Sequence, residues 1–229
     1  MIDKDTLATR LKMVQERIAA ACLRAGRSVE SVRMIAVTKN HPLETLQALV
    51  DLGVKDLGEN RVPEIVEKVP GLKGEFTMHM IGHLQTNKAQ KVLPLVSWIQ
   101  SVDRERLVSR LESLHQGEQK VKVLVEVNTT GEESKNGCSP KQCRALCERV
   151  MTSDALELRG LMTIGPLGGD EHAVRKSFAL LRSLSESCSD LVQNMELSMG
   201  MSGDFEWAIE EGATMVRIGT TLVGARILQ

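Results

Sequence analysis

Lys39 follows the apolar run Met34-Ile35-Ala36-Val37 and precedes a loop that contains Pro42. A lysine so placed has two possible fates. It can be a solvated strand terminus, the commoner one for this residue type. Or it can project into the mouth of a parallel barrel, where lost hydration and nearby cations lower its pKa and make the amine nucleophilic toward an aldehyde. A second stretch, Ser198-Met199-Gly200-Met201-Ser202-Gly203-Asp204, combines glycines and hydroxyls immediately before a helical segment. Ser202 can cap that helix, and the unpaired amides there can cradle an anion. A third, Val216-Arg217-Ile218-Gly219-Thr220-Thr221, closes an apolar run with two further amides and two hydroxyls. A phosphate held between Ser202 and Gly219-Thr220, across from Lys39, is the natural construction. A lysine facing a phosphate suggests either sugar-phosphate chemistry or pyridoxal phosphate.

Positioning these groups falls to eight short apolar runs, at residues 33–38, 56–58, 77–81, 98–102, 122–128, 157–164, 195–199 and 215–218. They alternate with helical segments at 43–52, 63–69, 86–95, 104–116, 140–152, 171–187 and 203–211. One more helix, 3–25, precedes the first run, with Leu7, Leu11, Val14, Ile18 and Ala21 at helical spacing. It can fill the gap left after the last strand. Strict alternation implies parallel strands with right-handed crossovers. Eight such units can close into a (β/α)₈ TIM barrel or spread into an open doubly wound sheet. The count favours closure, and so does Lys39-Asn40-His41-Pro42 standing where a dinucleotide-binding glycine fingerprint would follow the first strand. No Pro/Gly/Ser-rich linker interrupts the pattern, so residues 1–229 are expected to form a single domain.

In a parallel barrel the reactive groups sit at the C-terminal strand ends. Those ends are Lys39, Gly58-Glu59-Asn60, Gly82-His83, Ser101, Asn128, Thr163, Met201-Ser202 and Arg217 with Gly219-Thr220. Polar strand ends also arise simply because a strand leaving a core meets water.

The composition narrows the partners. The 29 basic and 30 acidic residues give a formal charge of −1, which supplies no electrostatic footprint for nucleic acid or an anionic membrane. Aromatic residues make up 2% of the chain and tyrosine is absent, so stacking platforms for single strands are missing as well. The N-terminal segment carries charges throughout and no signal-like apolar run, and no stretch is long and apolar enough to span a bilayer, so the expected location is the cytoplasm. The five cysteines (Cys22, Cys138, Cys143, Cys147 and Cys188) are odd in number and scattered, which suits reduced thiols. No metal is expected: no histidine accompanies Cys143 and Cys147, and His79 and His83 lie on a strand and its exit rather than on one helical face.

Several motifs in one order resemble the pyridoxal phosphate homeostasis protein family over nearly the whole chain. They are Ile35-Ala36-Val37-Thr38-Lys39, Leu57-Gly58-Glu59-Asn60, His79 through Lys88, Gly131 through Gly137, Arg159 through Ile164, Leu197 through Ser202, and Val216 through Thr220. The resemblance implies a fold-type III barrel like the N-terminal domain of alanine racemase, with the cofactor aldehyde bound as an imine on Lys39. It further implies that Ser202, Gly219 and Thr220 hold the phosphate, that Arg217 faces the pyridine nitrogen, and that Asn60 and Met80 line the pocket. His83 would sit at its rim, and Lys135 is a candidate second, non-imine site for cofactor transfer. Arg61, Met78-His79-Met80 and Val223 depart from the family pattern and put the pocket walls in question.

An always-charged arginine at the pyridine nitrogen keeps that nitrogen unprotonated and the ring a poor electron sink. A racemase of this fold also needs a second acid/base opposite the lysine, which the resembling enzymes take from a tyrosine of a C-terminal β-domain. This chain stops at Gln229 and has no tyrosine. The expectation is therefore a non-catalytic cofactor carrier that maintains pyridoxal phosphate homeostasis, with indirect effects on amino-acid metabolism. Its partners would be the cofactor and apoenzymes that require it, and it would be a monomer or weak dimer. The alternatives are an uncharacterised pyridoxal-phosphate-dependent enzyme acting on amino acids and a cofactor-sensing interaction protein.

Overall fold

The computed structural model describes residues 3–224. Helix α1 (Lys4–Arg24) starts at Asp3, whose carboxylate accepts a hydrogen bond from the Thr6 amide at 2.8 Å. It buries one stripe, Leu7, Leu11, Val14, Ile18, Ala21 and Cys22. The chain then runs β1 (Arg33–Val37), α2 (Leu43–Asp51), β2 (Asp56–Glu59), α3 (Val62–Lys68), β3 (Thr77–Met80), α4 (Ala89–Val92), β4 (Trp98–Val102) and α5 (Glu105–Leu114). It continues through β5 (Val121–Glu126), α6 (Cys143–Met151), β6 (Leu156–Met162), α7 (Glu171–Ser187), β7 (Glu196–Met201), α8 (Phe205–Glu210), β8 (Met215–Ile218) and α9 (Thr220–Val223). The strands pair in sequence order, and β8 returns to β1 in parallel, with Arg33 opposite Met215 and Ile35 opposite Arg217. The result is the closed barrel expected from the alternation. Helix α1 packs against α8, α9 and α2, so it occupies the gap in the helical ring.

Differences from the expected elements have local causes. The helix expected at 86–95 is a 3₁₀ turn (Thr86–Lys88), the short α4, and a second 3₁₀ turn (Leu93–Leu95). Pro94 lacks the amide that an unbroken helix needs. Strand β5 ends at Glu126 rather than 128, because Val127 and Asn128 turn to meet Cys138; the Asn128 amide donates to the Cys138 carbonyl at 2.9 Å. Strand β7 extends to Met201, where Gly200 has φ +89°. A side chain at Gly200 would place its Cβ 2.5 Å from the Ala208 Cβ, so glycine is what lets this strand approach α8 closely. The short α9 has no counterpart in the sequence reading. Residues 225–229, including the chain end that entered the argument about a second acid/base, lie outside the described residues.

Successive strand residues face opposite sides of the sheet, and the core divides accordingly. Ile35, Trp98, Leu124, Met162 and Met215 form one apolar cluster inside the barrel. Ala36, Leu57, Met80, Ile99, Val123, Leu161 and Val216 belong to a separate, larger cluster shared with the helices. Trp98 closes the lower end of the interior: it stacks on His79 with centroids 5.4 Å apart, and the Arg33 and Lys122 cations lie over its ring at 5.4 and 5.6 Å. Continued one step, the same alternation carries Lys39, Asn60, Ile81 and Arg217 to the inner side of the mouth and turns Thr38, Glu59 and Met80 toward the helices. All five cysteines are buried and unbridged. Among the described residues no helix is long and apolar enough to cross a membrane.

Candidate functional site

A cleft of about 340 Å³ opens at the C-terminal end of the barrel, between the exits of β1 and β2 on one side and β7 and β8 on the other. Its volume suits a cofactor-sized ligand. Lys39, Asn60, Ser202, Arg217, Gly219 and Thr220 all line it, so six of the seven positions expected to bind cofactor meet in one place.

Lys39 is the second residue of a tight turn closed by the His41 amide donating to the Thr38 carbonyl at 3.0 Å. The third residue, Asn40, has φ +61°, the left-handed value that a type II turn requires there and that asparagine tolerates. The turn therefore follows from the residue types in Thr38-Lys39-Asn40-His41.

Across the cleft, the Ser202 hydroxyl oxygen accepts from the amides of Gly219 at 3.2 Å and Thr221 at 3.3 Å. Ser202 Oγ thus gathers two backbone N–H groups at one point of the wall, which Thr220 also lines. Such a concentration of donors is the chemistry that a phosphate needs. The loop is pinned from below, where the Met201 amide donates to the Asp204 carboxylate at 2.6 Å.

Arg217 is 4% exposed. It donates through Nη1 to Ser198 Oγ at 2.6 Å and through Nη2 to the Thr163 carbonyl at 2.8 Å, which fixes the plane of the guanidinium. Burial pushes its pKa down to about 10, opposed by the Asp204 and Glu126 carboxylates. At neutral pH it remains a cation on the cleft wall.

Met80 is a correction to the sequence reading. It is fully buried in the cluster between strands and helices and does not line the cleft; its neighbour Ile81, one step along the alternation, does. Met78 is likewise in that outer layer, and Arg61 is exposed and away from the cleft. Of the positions that depart from the family pattern, Val223 is the one on the wall. His83 is not among the residues that line the cleft; its Nδ1 lies 3.4 Å from the Asp103 carboxylate.

Other residues reach the site, among them Ser198 and His79, which the sequence named for other reasons. His41, 5% exposed, lines the cleft, and burial first and the Lys68 cation second lower its pKa. Ser198, Gln100 and His79 stand behind Arg217 in the barrel interior. Counting inward-facing strand positions from Lys39 would have found the interior members. A second, smaller cleft of about 150 Å³ is lined by Glu126, Asn128, Ser134, Lys135 and Asn136 and shares Ile164 with the first. Lys135 Nζ is held there by the Gly165 carbonyl at 2.7 Å and the Glu132 carboxylate at 2.8 Å.

Comparison with known proteins agrees with this fold. The family model for the alanine racemase N-terminal domain matches residues 2–227. The pyridoxal phosphate homeostasis protein of Aquifex aeolicus is 41% identical over 221 residues, covering 95% of this chain and 97% of that protein. Among solved structures, an unknown protein from Bifidobacterium adolescentis superposes with a TM-score of 0.89 at 38% identity, covering 97% of both chains. PipY of Synechococcus elongatus, with pyridoxal phosphate bound, superposes with a TM-score of 0.77 at 34% identity, covering 92% of this chain and 100% of that one.

Proposed function

The chain belongs to the family of the alanine racemase N-terminal domain, and from that membership we propose that it is a pyridoxal phosphate homeostasis protein that holds the cofactor as an imine on Lys39. The observation that carries this reading is the meeting, in one cleft, of Lys39 on the β1 side with the Ser202, Gly219 and Thr220 cradle on the β7 and β8 side. The relatives that share the chain's length and bear that name support it.

The residues fit the group. Ser202, with the amides and hydroxyl that follow β8, would hold the phosphate, and Asn60 would line the ring's side of the cleft. Arg217 would present a fixed cation to the pyridine nitrogen and keep it unprotonated. When bound, the cofactor supplies an aldehyde that condenses reversibly with an amine. The protein's own contribution is to orient that aldehyde toward Lys39 and to leave the ring a weak electron sink. The reading assigns binding and hand-over of the cofactor, in the cytoplasm, to apoenzymes that need it; turnover of an amino acid is not part of it. Lys135, fixed at the second cleft beside the first, is the proposed way-station for transfer.

Absorption spectra with and without added pyridoxal phosphate, followed by borohydride reduction and peptide mass mapping, test the assignment. Wild-type protein should show an internal-imine band that borohydride traps on Lys39, and Lys39→Ala should not. Absence of binding by wild type, or trapping at another lysine, would overturn it.

A further inference from the structure

We propose that Lys68 is a positioning residue for Lys39: it anchors, through Glu59 and Glu64, the residues on either side of Lys39 and so presets the approach of that amine to the cleft. The proposal rests on the reading of Lys39 as the cofactor-holding lysine.

Lys68, at the end of α3, is 6% exposed, unusual burial for a lysine. Its Nζ lies 3.0 Å from Glu59 Oε1, 2.6 Å from Glu64 Oε2 and 3.4 Å from the Thr38 carbonyl. Both carboxylates reach on to the lysine turn. Glu59 Oε1 also accepts from the Thr38 hydroxyl at 2.8 Å, and Glu64 Oε2 also accepts from the Asn40 amide at 2.7 Å. One buried cation thus ties down Thr38 by side chain and backbone and Asn40 by its amide, with Lys39 between them.

Stability alone is a poor reason for this arrangement. Glu59 is fully buried, and burial raises its pKa against the pull of Lys68. The second oxygens of both Glu59 and Glu64 are buried without a hydrogen-bond partner. A buried ion pair with orphaned oxygens is at best neutral toward stability compared with apolar packing. What the cluster does supply is a unique geometry for a turn that contains a left-handed asparagine. Fixed placement of a reacting amine is worth large factors in rate, since a displacement of about 1 Å can cost on the order of a hundredfold.

The test uses cofactor-stripped full-length protein. Formation of the imine band with pyridoxal phosphate is followed by stopped flow for wild type, Lys68→Met, Lys68→Arg and the paired variant Glu59→Gln/Lys68→Met, which removes charge in balance and so protects folding. Pyridoxamine phosphate, which has no aldehyde, is titrated in parallel to read ring and phosphate binding alone. Lys68→Met and the paired variant should slow imine formation by about tenfold or more with pyridoxamine phosphate affinity unchanged, and Lys68→Arg should restore most of the rate. Parallel loss of both ligands, or an unchanged rate in the paired variant, overturns the proposal. The pH profile of Lys39 labelling by acetic anhydride, read by peptide mass spectrometry, needs no cofactor and should shift in Lys68→Met. If wild type forms no imine, the homeostasis reading falls, while an unchanged labelling profile is what would reject the role of Lys68.

Discussion

Arg217 and Asp56 stand at opposite ends of a hydrogen-bonded chain that runs down the barrel interior. Arg217 donates to Ser198 Oγ at 2.6 Å, Ser198 donates to Gln100 Oε1 at 2.7 Å, Gln100 Nε2 donates to His79 Nδ1 at 3.0 Å, and His79 Nε2 donates to Asp56 Oδ1 at 2.9 Å. All four protons point the same way, from the cation to the carboxylate. That direction selects the Nε2–H tautomer of His79, and burial, which lowers the His79 pKa against the pull of Asp56, keeps the ring neutral. The cleft wall is therefore braced from the far end of the barrel.

Gln100→Leu cuts this chain at its middle and leaves both Ser198 and His79 buried with a lost partner. Each unsatisfied group costs about 1–3 kcal/mol, so the variant should lose about 2–6 kcal/mol of stability in urea denaturation. A loss under about 0.5 kcal/mol, the scale of an ordinary surface change, would mean that the chain does not brace the interior.

Glu126 sets a pH dependence of known sign. It is 4% exposed, and burial first, with the Asp103 carboxylate second, raises its pKa from 4.5 to about 7, against Arg217 and Arg104. The folded state therefore holds a proton that the unfolded state releases between about pH 4.5 and 7, and this group's contribution to stability falls as pH rises through that window. The full difference is about 3 kcal/mol. Glu126→Gln should remove that slope, so the gap between variant and wild type in urea midpoints widens from pH 5 to pH 8. Parallel pH profiles for the two proteins would contradict the assignment.

Ser202→Ala deletes the oxygen on which the Gly219 and Thr221 amides converge. Under the proposed function, pyridoxal phosphate affinity should fall by about tenfold, equivalent to about 1.4 kcal/mol, while the wavelength of the imine band stays where it is in wild type. Equilibrium titration followed by absorbance measures both, and unchanged affinity would place the phosphate elsewhere.

The barrel and most of its cleft were legible because closure brings strand ends together whatever their separation in sequence. Knowing that Lys39, Arg217 and Ser202 end strands was enough to expect them at one mouth. Met80 was misplaced because a motif says nothing of which face of a strand a residue occupies; the alternation that puts His79 inside puts Met80 outside. Lys68 and Glu64 stand four apart on α3, a spacing that any exposed helix face can carry. Only packing reveals that this side of α3 covers Thr38 and Glu59. The segment 86–95, expected as one helix, keeps only Ala89–Val92 as α-helix, since Pro94 withholds an amide from its last turn.

The closing pair of strands makes the cleft a product of long-range pairing. β1 meets β8 only when Arg33–Val37 finds Met215–Ile218, the most distant pairing in the barrel, and contacts of such long range form slowly because their loop entropy must be overcome first. The cleft straddles this seam, with Lys39 on one lip and Gly219 and Thr220 on the other. Until the seam is made the two lips stand apart, so a ligand gripped by both acts as a clasp across it. It recognises the finished barrel alone and, by mass action, holds it shut.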